Sequence, residues 1–109
     1  MAYELLISRS AQQELEDIVR YMVEQLRNPK AATDFLELLD EKYVFLTENP
    51  KMYPLARDFR LRRREYRVLK AKNFLVLYRI IEEKQIIYVG GIFYEGEEYW
   101  KKIFQSMEE

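Results

Sequence analysis

The chain has 109 residues, 49% of them apolar, with nine Tyr, six Phe and one Trp, and it contains neither Cys nor His. That length holds one domain, taken as residues 1–109, because a second would leave neither half enough chain for a core. Without Cys there can be no disulfide, zinc–thiolate site or thiol nucleophile, and without His the usual base near neutral pH is missing.

The net charge of −1 conceals a strong asymmetry. Between Arg57 and Arg79 lie nine cations against two acids, a balance of +7, and each flank carries a balance of −4. Such a segment points to a polyanion or an acidic partner, or to an edge strand that blocks aggregation with its cations. No apolar run approaches the roughly 20 residues of a membrane span, and the N-terminus lacks the basic-then-apolar order of a signal peptide. The expectation is a cytoplasmic protein away from membranes.

In chain order, Tyr3-Glu4-Leu5-Leu6-Ile7-Ser8 alternates as a first strand, with Tyr3, Leu5 and Ile7 on one face. Ser10 followed by Gln13 reads as a capping box that opens a helix. Ala11, Leu15, Ile18, Met22 and Leu26 form its apolar stripe. Asn28-Pro29 starts a second helix, with Ala32, Phe35, Leu39, Tyr43 and Leu46 on its core face, before Asn49-Pro50 ends it. Leu36, Leu38 and Phe45 widen that stripe beyond what one packing face requires.

After a proline-containing loop, strands are predicted over about 61–71, 74–81 and 85–94, joined by Lys72-Asn73 and Glu82-Glu83-Lys84. Short connections make these an antiparallel meander. Trp100, Ile103, Phe104 and Met107 fall on one stripe of a short final helix. The expected fold is α+β: a helix hairpin on a mostly antiparallel four-stranded sheet, in the order β-α-α-β-β-β. "FLVLYRII" and "IIYVGGIFY" are apolar on both alternating faces, so the face away from the hairpin needs its own cover: the final helix, a partner, or both.

The three glycines make no phosphate-binding loop, and the acids read as solvated faces, so neither a metal nor a cofactor is expected. What remains is Arg, Lys and Tyr chemistry. Arginine can clamp a phosphate and stabilise charge developing on it. Tyr or Lys can move a proton. Arg67, Arg79, Lys70, Lys72 and Tyr94 supply those groups on adjacent strands, a set suited to metal-free RNA cleavage with the ribose 2′-hydroxyl as nucleophile. Arg60, Arg62, Arg63, Arg64 and Arg67 form the candidate nucleic-acid contact.

The strand followed by "SRSAQQELEDIVRYMVEQL", the segment "NPKAATDFLELLDEKYVFLTENPKMYPL" and above all "YRVLKAKNFLVLYRI" resemble the RelE/ParE superfamily of bacterial type II toxins. The likeness covers nearly the whole chain. It implies a toxin neutralised by a cognate antitoxin in a hetero-oligomer, the antitoxin wrapping it as an extended chain and helix. Leu36, Leu38, Phe45, Leu75, Leu77 and Phe93 are the positions expected to meet that antitoxin.

One branch of the superfamily cuts messenger RNA on the ribosome, the activity expected here. The other poisons DNA gyrase, the alternative, alongside a degenerate member that only binds antitoxin. By resemblance Arg67 matches the arginine that stabilises the transition state in the RNA-cutting branch. Arg79 matches the arginine of the "YR" strand, and Tyr94 a functional aromatic. The chain departs from that branch on its last strand. Gly91 stands where many members carry arginine, and Gly96-Glu97-Glu98 stand where they carry Arg-Arg-Asp.

Overall fold

The computed structural model describes residues 2–96. Strand β1 (Glu4–Ile7) leads into helix α1 (Arg9–Arg20), which ends in a π-helical turn over Tyr21–Gln25. Helix α2 (Pro29–Glu48) and a short helix α3 (Phe59–Arg63) follow. Strands β2 (Arg67–Ala71), β3 (Phe74–Ile81) and β4 (Ile86–Tyr94) complete one sheet of order β1-β4-β3-β2. β2, β3 and β4 are antiparallel neighbours, as their short turns require, whereas β1 runs parallel to β4. The α+β architecture is the expected one.

The first face of the sheet is the main core. Leu69, Ala71, Val76, Tyr78, Ile87, Val89 and Ile92 pack there with Phe35, Leu39, Tyr43 and Leu46 of α2 and Ala11 of α1. Tyr3, Leu5 and Ile7 join that cluster from β1. Asn28 caps α2 by accepting from the Ala31 N–H at 3.1 Å, with Pro29 in the first turn where no donor is needed.

Three local expectations are corrected. The cap of α1 is Ser8, not Ser10: its Oγ accepts from the Ala11 N–H at 3.0 Å and donates to the Gly90 carbonyl at 3.3 Å. That hydroxyl thus ties the helix start to β4. Leu26 leaves the stripe begun by Ala11 and is 54% exposed. The π turn fits extra residues into its loop, so a residue four after Met22 no longer stands above it.

The third correction concerns the basic segment. Residues 59–63 are helical, and β2 begins only at Arg67. Asp58 causes this by accepting from the Arg60 and Leu61 N–H groups at 3.0 and 3.2 Å, an N-cap in front of the five residues of α3. Glu65, at φ 62°, then reverses the chain into β2. The helix stripe predicted at Trp100, Ile103, Phe104 and Met107 lies outside the described residues.

Candidate functional site on the second face of the sheet

The second face is covered in part by the chain itself. Leu61 of α3 and Ala56 of the preceding loop pack on Tyr66, Leu77 and Phe93, with Val68 at the margin. Ala56 donates to the Tyr66 carbonyl at 2.8 Å and accommodates the loop as an extra edge beside β2. The Phe93 ring packs close against Gly91, where a Cβ would meet its Cε2 at 2.3 Å.

Beyond that patch the face turns polar. Arg79 follows Leu77 by two residues on β3 and therefore shares its face; its cross-strand partner is Tyr88. The Arg79 guanidinium carbon stands 5.9 Å from the centre of the Tyr66 ring. Its Nε is buried with no hydrogen-bond partner, and no ion pair to Arg79 exists among the described residues. Burial pushes the Tyr66 phenol pKa upward, Tyr88 adds to the rise, and Arg79 and Arg64 oppose it. Tyr66 is therefore a neutral hydroxyl near pH 7, a hydrogen-bonding group and not a base. Arg60, Arg62, Arg63 and Arg64, on α3 and at its C-terminal end, are all exposed, and Arg64 is near enough to act on Tyr66. Arg63 stacks on Phe59 at 5.5 Å.

The five residues expected to act together are spread over the molecule. Arg67 pairs with Tyr78, so it projects to the helix-covered face, where Nη1 donates to the Tyr53 carbonyl at 2.6 Å. Arg79 projects to the opposite face. Lys70 shares the second face but is paired with Glu95 at 3.3 Å, at the end away from Arg79. Lys72 sits in the β2–β3 turn at φ 55°. Tyr94 lies on the first face, edge-on to Phe74 at 5.7 Å. Lys72 and Tyr94 line one groove of about 730 Å³ with Tyr21, Leu26 and Phe74, remote from both arginines.

The antitoxin-facing set also divides. Leu36 and Phe45 are exposed on α2, Phe45 at 60%, while Leu38 packs against the main core. Leu77 and Phe93 are buried in the cluster with Ala56, Leu61 and Tyr66. Leu75 is half-buried opposite Phe93 and Lys70. Two residues of the Arg79 cluster, Tyr66 and Tyr88, were not singled out by the sequence reading. The available signal was the β3–β4 register, which sets Tyr88 beside Arg79 once the strands are aligned, and Tyr66 stands immediately before β2.

A helix pair thus packs on one face of a four-stranded mixed sheet, with Arg79 on the other. Residues 5–99 match the family described as ParE toxin of type II toxin–antitoxin system, parDE, and the chain belongs to that family. Similar solved structures include a free double mutant of the Escherichia coli toxin RelE, at TM-score 0.64 and 20% identity, covering 98% of this chain and 99% of that one. The chromosomal ParDE system of Pseudomonas aeruginosa aligns at TM-score 0.67 and 18% identity, over 85% and 96% of the two chains. The RelBE2 toxin–antitoxin complex of Mycobacterium tuberculosis aligns at 0.59 and 17%, over 86% and 99%. At these identities the structures speak to fold alone. No curated protein sequence matches the chain.

Proposed function

We propose that this chain is the toxin of a two-component module, a single domain acting in the cytoplasm, neutralised by an antitoxin, and that it arrests growth by binding DNA gyrase and not by cutting RNA. The observation that carries the second half is the separation of Arg67 from Arg79. A phosphoryl-transfer site needs its cations and proton carriers within a few ångströms of one phosphate. Here Arg67 is held to the Tyr53 carbonyl on one face, and Arg79 stands on the other. The absence of arginine at Gly91 and Gly96 supports the same reading. For the antitoxin, Leu36, Val44 and Phe45 leave apolar surface on the outside of α2, the kind of face an amphipathic segment covers.

Gyrase supercoiling of relaxed plasmid tests this directly: stoichiometric toxin should inhibit it. Unimpaired supercoiling at large excess rejects the gyrase reading. Messenger cleavage on the ribosome is the second reading, favoured by the Arg79–Tyr66–Tyr88 cluster. Primer extension on translated transcripts after induction distinguishes it, since new 5′ ends at codon boundaries support cleavage and intact transcripts exclude it.

A further inference from the structure

We infer that copies of this chain associate head to tail, the outer stripe of α2 on one copy receiving α3 of the next. This goes beyond the proposed function, because it gives the chain a partner in itself, apart from any antitoxin or gyrase.

The receiving surface is built on α2. Leu36, Asp40, Val44 and Glu48 follow at four-residue steps, with Glu37, Glu41 and Phe45 as the row beside them, and all seven are exposed. Residues four apart on a helix are neighbours on its surface, so each apolar side chain stands one turn from a carboxylate. Val44 and Phe45 are each 60% exposed. Lys42 is half-buried and lies off these rows, its Nζ 6.0 Å from the centre of the Tyr53 ring.

The docking surface is built on α3. Phe59 is 68% exposed, and the Arg63 guanidinium stands 5.5 Å from the centre of its ring. Arg60 and Arg62 are exposed on the same short helix. A ring among arginines on α3 thus complements apolar side chains among carboxylates on α2, in both charge and hydrophobicity. The complement is a second copy because one chain carries both surfaces. At a net charge of −1 per copy, little repulsion accumulates as copies are added. A polyanion would meet only α3 and be repelled by α2.

The two surfaces lie on opposite sides of the sheet. Helix α2 packs on the first face, while Leu61 anchors α3 to Leu77 and Phe93 on the second. Two copies joined by this contact still offer one open α2 and one open α3, so growth continues past the dimer. With α3 only five residues long, each contact belongs to the small, transient class of interfaces below about 1,200 Å².

Sedimentation of the purified full chain from about 10 to about 500 μM tests this. The mass average should climb past the dimer without a plateau. It should fall back as NaCl is raised from about 0.05 to about 0.5 M, since exposed charge pairs are screened. Phe45→Ser and Phe59→Ser should each weaken association about tenfold or more. Mixed together, they should recover the parental affinity in a 1:1 pair that grows no further, because one variant keeps α3 intact and the other α2. Tyr21→Ser, at an exposed residue of the π turn, should behave as the parent. Circular dichroism confirms that each variant is folded. A monomer at every concentration, a plateau at the dimer, a mixture that stays unpaired, indifference to salt or equal weakening in Tyr21→Ser would each overturn the inference. So would a monomeric chain whose Phe59→Ser variant loses antitoxin affinity, which would assign α3 to the antitoxin. Phe45 also belongs to the proposed antitoxin face, so added antitoxin should break the chains of copies. Phe59 does not, so Phe59→Ser separates a failure here from a failure of the antitoxin reading.

Discussion

Arg67 and Arg79 stand on opposite faces of one sheet: Arg67 is registered with Tyr78 and bonded to the Tyr53 carbonyl, while Arg79 lies beside Tyr88 over the Tyr66 ring. The two arginines should therefore differ in kind when removed. Arg67→Ala loses a charge-assisted bond in a partly buried place and should destabilise by about 1.5–3 kcal/mol. Arg79→Ala should change stability by less than about 1 kcal/mol, because only an unpaired donor is removed, and growth arrest through gyrase should persist in it, whereas the messenger-cleavage reading requires that arrest be lost. Urea unfolding and induction assays on both variants check this. Loss of toxicity in Arg67→Ala at unchanged stability would restore Arg67 to the site.

Ser8 and Ser10 separate equally well. Ser8→Ala removes the cap of α1 and its tie to Gly90, an expected loss of about 1 kcal/mol, whereas Ser10→Ala should fall within about 0.5 kcal/mol of the parent. Chemical denaturation gives both numbers. Equal effects would mean that the helix starts where the capping-box pattern placed it.

Gly91 carries a packing constraint. Gly91→Ala drives a Cβ into the Phe93 ring at 2.3 Å, and that ring is enclosed by Leu61 and Leu77. A loss of about 1–3 kcal/mol is expected. Shortening the obstructing ring in Gly91→Ala/Phe93→Leu should recover part of it. A double variant no more stable than the single one would show that the clash is not the cause.

Alkaline pH should destabilise the fold. Burial pushes the Tyr43 and Tyr78 phenols to about 12, and the Tyr78 hydroxyl donates to the Pro50 carbonyl at 2.8 Å. Both groups bind their protons more tightly folded than unfolded. Their contribution is thus complete below pH 10 and lost as pH rises from about 10 to about 12, at up to about 1.4 kcal/mol per unit per group. Thermal unfolding between pH 9 and 11 should show the decline, with a shallower slope in Tyr78→Phe. A flat profile across that range contradicts it.

On α2, Leu36→Asp and Phe45→Asp should leave unfolding within about 0.5 kcal/mol of the parent, since both side chains are exposed. They should nevertheless weaken antitoxin binding by tenfold or more in calorimetry, and co-expression should no longer rescue growth. Unchanged affinity in both variants would move the antitoxin to another face.

Much of this protein was legible because its core residues recur at the periods of their elements. Ala32, Phe35, Leu39, Tyr43 and Leu46 step along one helix face, and "FLVLYRII" is a strand whichever side is covered. Local chemistry also placed the Asn28 cap and the Lys72-Asn73 turn. The misses fall where two local signals compete. Asp58 capping outweighed the strand pattern of residues 61–66, and Ser8 prevailed over Ser10 because only its hydroxyl also reaches Gly90.

The sequence by itself determined the element order, the buried stripes, the concentration of cation between Arg57 and Arg79 and the family likeness. All of these depend on neighbours along the chain. Only the tertiary structure decided which cations share a surface. Side chains alternate across a strand with period two, so Arg67 and Arg79 were assigned to opposite faces by the β2–β3 register, a contact between segments that no local pattern encodes. The β3–β4 register set Tyr88 beside Arg79, the folded chain brought the Tyr66 ring to the same guanidinium, and Leu61 joined Leu77 and Phe93 in a second buried cluster.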